Sequence, residues 1–180
     1  LKAKNRYAGK VTWTEGYYHD PEYYIKGIEV VQARMPTTMK TVMKATLNAM
    51  LDGRPVDSLN DELSEYITNV VEHLAMRGKL KKDLSDYKTL SGSSAAAHWA
   101  NINLGKDYRK GDYFWTLLDT DGRYIGGDSV VEIMAKAEIG YKHFVDRFII
   151  NKVEPLYEIA GWDMSPLTDA LNGRKTTEWL

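Results

Sequence analysis

The chain has 180 residues, 43% of them hydrophobic and 27% charged, which fits one packed domain, or one with a small appendage, and excludes disorder for most of its length. It contains no cysteine, so disulfide frameworks, thiolate chemistry and zinc–thiolate sites are excluded, in keeping with a reducing cytosol. The net charge of −1 hides two basic groups: Lys2, Lys4, Arg6 and Lys10 precede the first acid, Glu15, and Arg77, Lys79, Lys81, Lys82 and Lys88 are diluted only by Asp83 and Asp86. Local clusters of this kind permit a phosphate-binding face without requiring one.

No apolar stretch approaches the roughly 18–20 residues that a spanning helix needs, so no membrane partner is expected. The chain opens on Leu1 rather than methionine, which we read as the start of a fragment, a processed product or a trimmed chain.

In chain order, Tyr7, Val11 and Trp13 alternate over residues 6–14, the period of a half-buried strand. Glu15-Gly16 and His19-Asp20-Pro21 are turn chemistry, and Tyr23 to Val31 is again strand-like. Together they predict a β-hairpin, with an irregularity at Gly27. Pro36-Thr37-Thr38 opens a helix with Met39, Val42, Met43, Leu47, Met50 and Leu51 as its apolar stripe, stopped by Gly53 and Pro55. Asp57-Ser58 caps a second helix with Leu59, Leu63, Tyr66, Ile67, Val70, Val71 and Leu74 inward, and Gly78 stands where a C-terminal cap belongs. The two helices should pair antiparallel, their stripes serving as core.

After a polar connection from Lys81 to Tyr87, Ser91 to Ser94 caps a helix running from Ala95 to Asn101. Tyr113 to Leu118 is an aromatic strand, turned back by Asp119-Thr120-Asp121-Gly122 into Arg123-Tyr124-Ile125. Asp128-Ser129 caps a short helix from Val130 to about Ala137. A last long helix runs from near Tyr141 to Ala160, with a kink or break expected at Pro155, and from Pro166 the chain turns polar.

Asp119 and Asp121 are two carboxylates two apart, a pattern that can hold Mg²⁺ in a stand-alone magnesium enzyme. Asp/Gly pairs also close turns for backbone reasons alone, and the turn is the reading we adopt. His19, His73, His98 and His143 show no metal-ligand spacing, and Ser91 to Ser94 lacks the frame of a nucleophile elbow. What remains is binding chemistry. Lys4, Arg6 and Tyr7 can reach phosphates and minor-groove acceptors, with Ala8 and Gly9 allowing close backbone approach. Ser91, Gly92, Ser93 and Ser94 at a helix start, with Lys88 nearby, can form an anion site or an ordinary serine cap.

Several segments in order resemble the C-terminal part of family B DNA-directed DNA polymerases, nearer to phage and archaeal members. Lys4-Asn5-Arg6-Tyr7-Ala8 resembles the family's K-K-R-Y-A motif, and Lys26-Gly27-Ile28-Glu29 with Gln32-Ala33-Arg34 resembles its K/R-G-L-E…R strand. Lys81 to Tyr87 is similar to the approach to the thumb's phosphate-binding segment. His98 to Asn101 with Lys110-Gly111-Asp112 is similar to the H…A…G-D passage before a strand, and Ile149 to Trp162 to the closing thumb helix.

The resemblance implies an α+β fold: a β-hairpin from the end of the palm (1–35), a mainly helical thumb with a small β-hairpin (36–165) and a C-terminal tail (166–180). It implies template-directed nucleotidyl transfer in DNA replication by the whole enzyme, in the cytoplasm, or the host's cytoplasm if the source is viral. Mg²⁺ would be held by palm aspartates outside this chain, and fingers and exonuclease would be supplied upstream. The family's D-T-D-S segment precedes its K-K-R-Y motif, whereas Asp119 follows it. The duplex-gripping residues would be Lys4, Asn5, Arg6 and Tyr7 on one side and Lys88, Ser91, Gly92, Ser93 and Ser94 on the other. Asn5 stands where the family carries its second lysine, so that lysine's role is either weakened or passed to Lys4 or Lys10. An alternative is a non-catalytic small subunit of a split polymerase, or a clamp-interaction module whose tail offers Trp179 and Leu180 to a sliding clamp.

Overall fold

The computed structural model describes residues 7–28, 35–68 and 74–172. Among these residues it is an α+β fold with two antiparallel sheets, one showing two strands and the other three. Strands β1 (Tyr7–Thr14) and β2 (Tyr17–Lys26) form the expected hairpin. Its turn is Glu15-Gly16, where both residues take positive φ (52° and 93°), the backbone that matches the twist of a two-residue hairpin. His19-Asp20-Pro21, expected as a turn, instead lies within β2. There the register slips: Val11 and Trp13 of β1 face Glu22 and Tyr18, so β2 bulges around a proline that has no N–H to give the ladder. The register slip is therefore here, while Gly27, where an irregularity was expected, follows the end of β2 with a positive φ of 69°.

Helix α1 (Thr37–Asp52) follows Pro36 and ends at Gly53 in the left-handed conformation, as its apolar spacing predicts. Helix α2 spans Val56–Thr68. It starts earlier than expected, at the residue after Pro55, whose carbonyl accepts the Leu59 N–H, so Asp57 and Ser58 lie inside its first turn and not at its cap. Arg54 reaches over that turn to the Ser58 hydroxyl and carbonyl and to Glu62. Val70, Val71 and His73 lie outside the described residues.

Gly78 does not cap a helix. It lies in strand β3 (Met76–Lys79), which pairs antiparallel with β4 (Tyr113–Leu118), itself paired with β5 (Tyr124–Gly127). The expected small hairpin is thus the outer two-thirds of a three-stranded sheet. A Cβ on Gly78 would come within 2.7 Å of the Phe114 ring and 2.8 Å of the Thr116 methyl, so the glycine serves close approach across the strands.

Helix α3 (Ser93–Asn103) covers the face of this sheet that carries Phe114, with Ala96, Ala97 and Leu80 buried against it. Helix α4 (Val130–Met134) is capped as expected by the Ser129 hydroxyl, which accepts the Glu132 N–H at 3.1 Å, but it stops three residues before Ala137.

The last long helix runs unbroken from 141 to 160, as α5 (Tyr141–Phe144), a π segment (Val145–Ile150) and α6 (Asn151–Ala160). Pro155 does not break it. The irregularity sits in the wider π turn, where the Asn151 N–H bonds the Asp146 carbonyl five residues back. Pro166, expected to open a polar stretch, instead stands in the first turn of helix α7 (Ser165–Asn172), where a proline's missing N–H costs little. Leu167 and Leu171, four apart on one face, are fully buried.

One hydrophobic core joins α1, α2, the β4–β5 hairpin, the α5–α6 run and α7, with Ala8 and Ile25 of the first hairpin packed against it. Across it the buried Tyr157 hydroxyl donates to Asn60 Oδ1 at 2.6 Å. Burial pushes the Tyr157 phenol up to about 12 from its ordinary 10.0. The folded state therefore keeps a proton that the unfolded chain loses above pH 10. This contribution is complete below pH 10 and is lost as pH climbs through about 12. Tyr157→Phe should cost about 1–3 kcal/mol, by stranding the Asn60 acceptor, and should flatten the alkaline limb of stability against pH; urea unfolding between pH 8 and 12 reads both.

Candidate nucleic-acid interface

Lys4, Asn5 and Arg6 lie outside the described residues, so the first side of the expected duplex grip is seen through Tyr7. Tyr7 opens β1, and its half-exposed ring stacks on Tyr24 at 5.8 Å between centroids. Strand alternation puts Tyr7, Gly9 and Tyr24 on one face and Ala8, Lys10, Tyr23 and Ile25 on the other. A Cβ on Gly9 would meet nothing within 4 Å, so the backbone there is open to close approach.

Lys10, one of the two candidates for the charge missing at Asn5, already has a partner in the fold. It is ion-paired with Asp52, which also accepts the Tyr23 hydroxyl at 2.5 Å. The hydrogen bond from Lys10 holds the Asp52 carboxyl below its ordinary range, and the same bond raises Lys10. Asp52 stands in the last turn of α1, where a carboxylate opposes the helix dipole, and Lys10 offsets that cost. Tyr7 and Ala8 also border a cleft of about 250 Å³ with Leu47, Met50, Leu51, Leu156 and Ile159. Apart from the Tyr7 hydroxyl, those side chains are apolar and offer no acid, base or nucleophile.

The second expected side is the entry to α3. Gly92 takes φ 53° and ψ −125°, a conformation that side chains resist. It lets the chain fold so that Ser94 Oγ accepts the Ser91 N–H at 2.9 Å and donates to the Ser91 carbonyl at 3.0 Å. Ser94 is buried and its hydroxyl is engaged in closing this turn. Ser91 and Lys88 are exposed and Ser93 is half-buried, beside the N–H groups of a helix start. Before them, Lys82 caps the Asp86 carbonyl at 2.7 Å and lies over the Tyr87 ring. The two sides belong to different parts of the fold: Tyr7 to the hairpin resting on α1, and Ser91 to Ser94 to the helix on the three-stranded sheet.

Asp119 is largely buried. Its Oδ1 accepts the N–H groups of Asp121 and Arg123, each at 2.9 Å, and its Oδ2 accepts Arg123 Nε at 3.0 Å. Arg123 also pairs with Asp121. Both carboxylates are thus engaged with donors of the turn itself, Asp119 with its backbone N–H groups and both with Arg123. Among the described residues no group of three His, Asp or Glu side chains could hold a metal ion. The His143 ring contacts the Thr120 carbonyl at 3.0 Å in the same turn.

A further polar network ties α4 down: Lys106 pairs with Asp128 and Glu132, each at 2.6 Å, and Tyr108 donates to Asp128 at 2.5 Å. The Lys106 ammonium holds both carboxyls below their ordinary values, and burial, with the bond to Asp128, raises the Tyr108 phenol.

Reading the sequence missed one juxtaposition. Arg77 and Lys79 on β3 stand directly opposite Trp115 and Tyr113 on β4. Both pairs are spaced two apart in sequence, but only the register brings them together.

The described residues define an α+β chain, and the described side chains show no catalytic constellation. No known family's model matches the chain, and no curated protein matches it. No helix among the described residues is long and apolar enough to cross a membrane.

Proposed function

We propose that this chain is the C-terminal palm–thumb part of a family B DNA-directed DNA polymerase and grips the primer–template duplex behind the insertion site. The observation that carries the reading is the ordered series of matches from Lys4 to Trp162. The half-exposed Tyr7 ring at the head of the hairpin supports it, as does the entry to α3 with Lys88 and Ser91 turned to solvent. Carboxylates outside this chain would hold the Mg²⁺ ions that activate the primer hydroxyl and stabilise the leaving phosphates. The chain's own work is binding and positioning: charge contacts give affinity without sequence preference and hold the primer end in place. Lys4 and Arg6 carry the charge on the first side, because Lys10 is committed to Asp52.

Equilibrium binding to primer–template DNA across a salt series tests this. The logarithm of affinity should fall linearly with that of salt, by about 0.9 per phosphate neutralised. Arg6→Ala should reduce the slope by about 1 while Lys10→Ala leaves it unchanged. Binding that does not respond to salt would sink the proposal.

A further inference from the structure

We propose that the outer face of β3 and β4 is a stacking platform for single-stranded nucleic acid, built from Arg77, Lys79, Tyr113 and Trp115. The Arg77 guanidinium lies 5.0 Å from the Trp115 ring centroid and 5.8 Å from that of Tyr113. The Lys79 ammonium lies 4.5 Å over the Tyr113 ring and donates to its hydroxyl at 2.8 Å. Register sets this arrangement, since Arg77 faces Trp115 and Lys79 faces Tyr113 across the antiparallel pair. Alternation turns Gly78 and Phe114 inward toward α3, leaving the two cations exposed on the opposite face, with Tyr113 55% exposed and Trp115 half-buried against the main core.

The charge of this face is not neutralised. Among the described residues, ion pairs engage Lys10, Arg54, Lys106, Arg109, Arg123 and Lys142, and none engages Arg77 or Lys79. Two uncompensated cations on one face suit a polyanion, and Lys81 and Lys88 later in the chain are exposed as well. The rings select which polyanion. An acidic peptide or a paired duplex offers carboxylates or phosphates but no free planar face. An unpaired base offers both a phosphate and a π-surface, and it can stack on an aromatic ring or on a guanidinium already held flat over one. The Arg77 guanidinium, 5.0 Å from the Trp115 ring centroid, and the exposed Tyr113 ring are the candidate partners for a base. This inference stands on the face itself and not on the polymerase reading.

The test is fluorescence anisotropy with the whole chain and four labelled probes: an oligothymidylate of about twelve nucleotides, an abasic strand of equal charge, a duplex of equal length and polyglutamate. Tyr113→Leu should weaken oligothymidylate binding by about 5-fold or more while changing abasic and duplex binding by less than about 2-fold, because the ring is removed while both cations stay on the face. The double change Arg77→Gln with Lys79→Gln should weaken oligothymidylate and abasic strands together. Equal losses for both strands on Tyr113→Leu, no loss in any arm, or polyglutamate binding as tightly as oligothymidylate would each overturn the proposal. Should Tyr113→Leu perturb folding, Tyr113→Phe keeps the ring and should bind oligothymidylate like the parent; a loss there equal to that of Leu would also overturn it. The duplex arm reports on the polymerase reading separately.

Discussion

Replacing Gly140 with alanine is expected to lower the stability of the fold by more than about 3 kcal/mol, beyond the usual range for overpacking. Gly140 lies between α4 and α5, where its N–H bonds the Leu118 carbonyl at 2.8 Å and Ile139 bridges to Asp119. A Cβ there would fall 1.9 Å from the Asp119 carbonyl oxygen and 2.6 Å from its carbon. Both colliding atoms are backbone, and the Asp119 segment is pinned by its own bonds to Asp121, Gly122 and Arg123. No rotamer change can relieve the contact. For a chain of this size the loss corresponds to a fall in thermal midpoint of roughly 6–12 °C, readable by calorimetry. A midpoint within about 2 °C of the parent would mean that the α4–α5 connection can move away from the sheet. The backbone angles here (φ −83°, ψ 71°) are those of an inverse γ-turn, closed by the Tyr141 N–H on the Ile139 carbonyl, which alanine can also adopt, so the loss would report contact and not conformational strain.

Leu167→Ala should cost about 2–5 kcal/mol in urea unfolding, the usual range for emptying a fully buried leucine site. The size of the effect matters because residues from Pro166 onward read as polar. If α7 were a detachable tail, the substitution would be near neutral. Leu167 and Leu171 are instead fully buried, in the same core as α2. Asp169→Ala, on the exposed side of the same helix, should change stability by no more than about 0.5 kcal/mol. A small effect at Leu167 together with a normal melting profile would place α7 outside the cooperative unit.

Some of this architecture was legible in the sequence. The apolar stripe of α1, the strand Tyr113–Leu118, the serine cap of α4 and the length of the last helical run all follow from local patterns. So does the Glu15-Gly16 turn. Of the expected duplex grip, the sequence gathers Lys88 and Ser91 to Ser94 within one turn of chain and a helix start. It does not reveal that Ser94 is buried or that Lys10 is drawn to Asp52, because both depend on partners that local patterns do not specify.

What the amino-acid order by itself determined is therefore the set of local elements: periodicity and capping act over a few residues and need no distant partner. Tertiary structure alone decided the role of Gly78. After a helical stripe it reads as a cap, and only the arrival of Phe114 on β4, thirty-six residues later, makes it a strand residue beneath an aromatic ring. The same long-range register set Arg77 against Trp115 and Lys79 against Tyr113, turning two short alternating segments into one cationic, aromatic face. Strand partners are chosen by packing across the whole chain, so the surface those strands present is a property of the folded chain and of no segment within it.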